Sequence, residues 1–245
     1  MPKKQRSEAA TLTGKPIPSL KFYMLDIEVA PNRIMLGLKL CGSKAAALSD
    51  EYLQYDGLDE IRTSPWYKKE KNAVFVSYNG MSYDLPVLRL CLNTKNKGRD
   101  PFEISQYIIN LPRNHNEKIF EKNHVDLLAI LPTPRRCSLK AMGHRMGYSV
   151  LADLPYSYDM VLSDSQWQEV KDYNKHDLNI TGMLFDNMYG DYISAKTIGE
   201  TYGFYPFFGG TPNIAKKVFS KSECVVDNKI REVKGLKSTN RLTTF

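Results

Sequence analysis

Two carboxylates two residues apart, Asp26 and Glu28, lie inside the apolar run Phe22-Tyr23-Met24-Leu25-Asp26-Ile27-Glu28-Val29. Bounded by Pro18 and by Pro31-Asn32, the run reads as a buried strand. Alternate side chains on a strand share a face, so Asp26 and Glu28 point the same way. Two anions on one buried face repel each other and lose hydration, and something positive must offset both costs. A divalent cation held by oxygen ligands is the simplest such partner. The competing reading is an edge strand with two solvated acids, and acids elsewhere in the chain decide between the two.

Asn79-Gly80-Met81-Ser82-Tyr83-Asp84 places an acid just beyond a strand end, at a helix start. Ligand sites in α/β sheets gather at such transitions. The same position would also let Asp84 simply neutralise the positive end of a helix. In Tyr173-Asn174-Lys175-His176-Asp177, an i,i+4 spacing on a long helix puts Tyr173 and Asp177 on one face, one turn apart. A phenol and a carboxylate can there address the same metal-bound water. Tyr52/Asp56 and Tyr55/Asp59 share the spacing but sit in a short polar segment. His176 projects about 100° around the helix from Asp177 and reads as incidental. Asp126, near His124 on a strand, reads as structural. Phe204-Tyr205-Pro206-Phe207-Phe208 offers either faces for stacking bases or a packed hydrophobic loop.

These residues need elements to hold them. Residues 33–41 read as a second strand hairpinned to the first, 45–55 as a weaker third, 72–78 as a fourth ending at Asn79-Gly80, and 119–126 as a fifth. Helices are expected over 82–93 with Ser82 as cap, 138–147 closed by Gly147, 163–189 opened by Ser163-Asp164-Ser165, 191–202 after a break at Gly190, and 213–219. Part of 57–67 is expected to be helical, interrupted by Pro65. Residues 94–117 read as a surface excursion and 149–162 as irregular. Strands followed by helices behind an early hairpin imply an α/β domain with a mixed sheet and helices on its faces. The expected organisation is a basic flexible arm over 1–19, one main domain over 20–215 and a basic extension over 216–245.

At 245 residues the chain can bury a substantial core without staples. Its 42% hydrophobic and 25% charged residues suit a soluble globular protein. No apolar run approaches the roughly 20 residues of a membrane span, and the N-terminus lacks a secretory signal, which points to the cytoplasm. Cys41, Cys91, Cys137 and Cys224 form no Cys-x-x-Cys, and the four histidines show no ligand spacing. They argue against zinc and for free thiols in a reducing compartment. The formal charge of +7 is concentrated at the ends. Residues 1–20 hold four basic side chains against one acidic, and residues 216–245 hold eight against three. Basic ends on a near-neutral body suit a polyanion such as nucleic acid, or else are solvating tails.

The acids and their contexts form a pattern: strand Asp-x-Glu, then Asn-x-x-x-Tyr-Asp at a strand-to-helix turn, then Tyr-x-x-x-Asp on a late helix. It closely resembles the three exonuclease motifs of the DEDD superfamily, the DnaQ-like 3′–5′ exonucleases. Tyr173 points to the DEDDy branch, which includes proofreading domains of DNA polymerases. Val125-Asp126-Leu127-Leu128, Ser138-Leu139-Lys140 and the Leu178-x-x-Thr181 that follows Asp177 also resemble exonucleases encoded by bacteriophages and related polymerases. The resemblance covers about residues 20–190. It implies an RNase H-like fold and two divalent cations, Mg2+ or Mn2+. Asp26 would bridge both metals, Glu28 and Asp177 would complete the site of the nucleophilic water, and Asp84 would support the second metal, largely through water. Tyr173 would orient the attacking water, and its reference pKa near 10 makes it a poor base at neutral pH. Asn79 and Tyr83 would contact the substrate strand near its 3′ end. The implied activity is hydrolysis at single-stranded or frayed DNA 3′ ends in phage replication or proofreading, in the host cytoplasm if phage-encoded. A separate DNA polymerase or other replication proteins would be its partners. A 3′–5′ exoribonuclease, or a non-catalytic nucleic-acid-binding protein on the same fold, are the alternatives.

Overall fold

The computed structural model describes residues 20–41, 51–96, 98–112, 123–131, 137–150, 152–207 and 210–221. The expected arm over 1–19, the start of the expected third strand and the extension beyond 221 lie outside these. The chain divides into two compact units, Met1–Leu128 with Arg135–Tyr189, and Ala129–Pro134 with Gly190–Phe245.

The first unit is an α/β layer structure on a mixed five-stranded sheet. Its strands are β1 (Lys21–Ala30), β2 (Arg33–Cys41), β3 (Tyr52–Asp56), β4 (Ala73–Ser77) and β5 (His124–Asp126). They lie in the order β3-β2-β1-β4-β5. β3, β2 and β1 run antiparallel, whereas β1, β4 and β5 run parallel. The hairpin at Pro31-Asn32 is the one expected, and the Asn32 amide anchors it by exchanging hydrogen bonds with the Leu162 backbone. β1 is the central strand, so the edge-strand reading of Asp26 and Glu28 does not hold.

Alternation sorts β1 and β2 into two faces. Tyr23, Leu25 and Ile27 join Ile34, Leu36 and Leu38 in the larger core, closed by Leu85, Leu88 and Leu92 of α2 (Asp84–Leu92) and by Ile104 and Ile108. On the other face Met35 packs against Trp167 and Val170, and Phe22 meets Phe185 at 5.1 Å between ring centroids. Asp26 and Glu28 belong to this second face.

Short helices α1 (Gly57–Ile61), α4 (Leu127–Ile130) and α5 (Leu139–Arg145) accompany the long α6 (Asp164–Tyr202) and the C-terminal α7 (Gly210–Lys221). Several boundaries differ from expectation. The stretch read as a surface excursion contains α3 (Pro101–Asn110), whose Ile104, Ser105 and Ile108 are buried. Asp100 caps it, its side chain accepting from Phe102 N at 3.0 Å, and Pro101 supplies the first turn. Ser82 is not a cap, because the turn begun at Asn79 runs on to Tyr83 before α2 starts at Asp84. No break occurs at Gly190: α6 is a single 39-residue helix. One glycine costs only about 1 kcal/mol relative to alanine, too little to interrupt a helix with many turns on either side.

The second unit contains the end of α6 and α7, which passes through the boundary expected near 215. Phe207 is buried and stacks on Tyr192, with centroids 5.1 Å apart, while Tyr205 meets it edge-on. This favours the packed-loop reading for Phe207, and Phe208 lies outside the described residues. Among the described residues, no helix is long and apolar enough to cross a membrane.

Candidate metal centre

Three strand rows define the floor of the site. Asp26, Gly37 and Gln54 are register partners across β1, β2 and β3, as are Glu28, Met35 and Asp56, and Met24, Lys39 and Tyr52. α6 lies over these rows and is tied to each by polar side chains. Trp167 Nε1 donates to Asp56 Oδ2 at 3.0 Å, and Lys171 pairs with the same carboxylate at 2.7 Å. Gln54 Nε2 donates to the Lys171 carbonyl at 2.7 Å. Lys39 Nζ and the Tyr52 hydroxyl both donate to Asn179 Oδ1 at 2.6 Å. These ties fix the rotation of α6 and turn Tyr173 and Asp177 towards β1.

The result is a cluster of acids. Asp26, Glu28 and Asp177 each present a carboxylate oxygen, and the three oxygens lie within 4.8 Å of one another. Asp26 and Glu28 are half-buried and held well above the usual carboxylate range, by burial first and then by the neighbouring acids. Asp177 is raised for the same first reason, opposed by the Tyr173 phenol and by Lys140 and His176. The donor set is oxygen-only, crowded and short of cations, which is the chemistry a hard divalent ion satisfies.

Asp84 is nearly fully buried. Its Oδ1 accepts from Ile27 N at 3.1 Å, between the two β1 acids. β4 ends before this point on β1, so Asp84 replaces a missing ladder partner. Burial pushes its carboxyl up to about 7. It lies beside the three-acid cluster without being one of the three.

Tyr173 is bonded to Asp177 and carries the Lys140 ammonium 5.3 Å from its ring centroid. Burial and the Asp177 charge drive its pKa upward, so the phenol stays protonated and serves as a donor. Gly143 lets α5 approach α6 closely, since a Cβ there would sit 3.0 Å from Ile180 Cγ2, and this brings Lys140 over Tyr173. Lys140 also pairs with Asp153 at 2.7 Å.

Asn79 has the left-handed φ of 66° and its N–H donates to Asp126 Oδ1 at 2.9 Å. Asp126 also accepts from Met81 N and Leu128 N, so it is the structural clamp of the turn. Asn79, Tyr78, Cys137 and Ser138 line an open cleft of about 410 Å³ whose floor includes Asp26 and Asp177. Tyr83 is placed otherwise: its hydroxyl shares a hydrogen bond with Ser105 Oγ of α3 at 2.8 Å. His176 turns away to the Tyr148 hydroxyl at 3.0 Å.

Asn174 is the site residue that sequence reasoning missed. It is fully buried, and its Nδ2 donates to Asp26 Oδ2 at 2.7 Å. A signal existed in Gly37, a glycine inside an apolar strand, which marks a close approach by another group. Comparison with family models, with curated proteins and with solved structures yields no match for this chain.

Proposed function

We propose that this chain is a divalent-metal-dependent 3′–5′ exonuclease of the DEDD superfamily, DEDDy branch, with an RNase H-like sheet, acting on single-stranded or frayed DNA 3′ ends. One observation carries the reading: carboxylates 26 and 28 of β1 and carboxylate 177, far along the chain on α6, converge within 4.8 Å at the floor of an open cleft, beside Asp84 and under a protonated Tyr173. Three antiparallel strands followed by two parallel ones, with the Asp-x-Glu strand in the middle, support the fold assignment.

Bound Mg2+ or Mn2+ would supply Lewis-acid stabilisation of the phosphodiester and a more acidic water at neutral pH. Asp26, Glu28 and Asp177 would hold the ions, with Asp84 as the supporting acid. The Tyr173 phenol, whose O–H goes to Asp177, would orient the attacking water through its oxygen rather than take its proton. Lys140 keeps positive charge beside that phenol, where an anionic scissile group would lie. Asn79 and the rim around Cys137 and Ser138 receive the strand end.

The test is product analysis on 5′-labelled single-stranded DNA and RNA of one sequence with Mg2+, Mn2+ or EDTA. A metal-dependent ladder shortening from the 3′ end of DNA is expected. Faster RNA shortening would reassign the substrate, and intact strands with retained binding would replace hydrolysis by a binding function. Cleavage that persists in EDTA would refute the metal-dependent reading.

A further inference from the structure

Asp26 is flanked by acids and depends on one neutral donor. Asn174 Nδ2 lies 2.7 Å from Asp26 Oδ2, and the same amide is hydrogen-bonded to Glu28. Both of its N–H groups are directed at the acidic pair, so its oxygen must face the other way. Asn174 Oδ1 is buried and has no hydrogen-bond partner. It points into the space over Gly37, where a Cβ would stand only 1.9 Å from it. Gly37 is the β2 register partner of Asp26 itself. The backbone therefore makes room for this amide at the one position opposite the central acid.

An unsatisfied buried carbonyl is destabilising, so the arrangement sacrifices local stability for the contact on the other side. The choice of amide also follows from electrostatics. A lysine at this position would satisfy Asp26 and compete with a cation, and an aspartate would add another repelling anion. An asparagine donates hydrogen bonds without charge, fixes one oxygen of Asp26 and leaves the other oxygen free to ligate.

We infer that Asn174, seated by Gly37, is a positioning residue that holds Asp26 and Glu28 in cation-ready orientation. The inference rests on the metal-site reading above and assigns the device that sets the affinity of that site. Its test is isothermal titration of Mn2+ into the metal-free protein without nucleic acid, for wild type, Asn174→Ala and Gly37→Ala. Thermal melts of the same metal-free samples check the fold. Loss of one such supporting partner weakens metal binding about 10- to 100-fold. We expect a loss of that size in both variants, the second because an added methyl displaces the amide from the opposite side. DNA KM at saturating metal should stay within about twofold, since neither residue lines the cleft. Wild-type Mn2+ affinity in folded Asn174→Ala overturns the inference and leaves the nuclease reading standing. If Asn174→Ala fails to fold, Gly37→Ala decides alone, and wild-type affinity there overturns it equally. A wild-type protein that neither binds Mn2+ nor shortens DNA overturns both the inference and the reading beneath it.

Discussion

Carboxylates held this close make the metal-free protein respond to pH in a defined direction. Asp84 has its folded pKa raised to about 7, and Asp26, Glu28 and Asp177 are raised as well, by burial first. Between about pH 4 and 7 the folded state then binds more protons than the unfolded state, so stability falls as pH rises. The melting temperature of metal-free protein should therefore drop from about pH 5 to 8, and Mg2+ should restore it at the upper end. A flat profile would mean that the acids are solvated rather than crowded. Asp26→Asn and Asp177→Asn should abolish detectable turnover while raising that metal-free melting temperature, because each removes a repelling charge. Calorimetry and the strand-shortening assay read the two effects separately. Tyr173→Phe should slow turnover by roughly 10²-fold, the low end of what a positioned side chain contributes, with Mn2+ binding intact. An unchanged rate would move the orienting role to another group.

The elements were legible where pattern and punctuation agreed. The alternation in β1 and its hairpin turn placed Asp26 and Glu28 correctly on one face, and the i,i+4 spacing in α6 placed Tyr173 against Asp177. What failed was punctuation read in isolation. Asp100-Pro101 is a cap followed by a first-turn proline, yet the polar residues around it masked a helix that buries Ile104 and Ile108. Gly190 looks like a breaker on its own, yet it lies inside a helix whose rotation is fixed by Trp167, Lys171 and Asn179. Asn174 escaped because its role arises only when β2 is laid beside β1, which no spacing within α6 reveals. The cap makes a quantitative claim: Asp100→Ala should cost about 1 kcal/mol in urea unfolding with little change in turnover, since α3 lies on the face opposite the acids. A cost near zero would show that packing of Ile104 and Ile108 alone holds the helix.

Across the whole molecule, positive charge is concentrated in the terminal segments, with eight basic and three acidic side chains over residues 216–245. Deleting residues 227–245 should weaken DNA binding more at low salt than at high salt, as loss of phosphate contacts requires. A fluorescence anisotropy titration over a salt series measures this, and parallel curves would leave the segment without a role in binding. The wiring of the site also has a consequence in time. Asp26 and its Asn174 partner are separated by 148 residues. At translation speeds of roughly 15 residues per second, on the order of ten seconds pass between the synthesis of β1 and that of the helix turn that completes the cluster. A nascent chain thus holds Asp26 and Glu28 together well before Asn174 and Asp177 arrive to complete the acidic cluster, so a cation can be gripped by all three acids only once the long helix has been made.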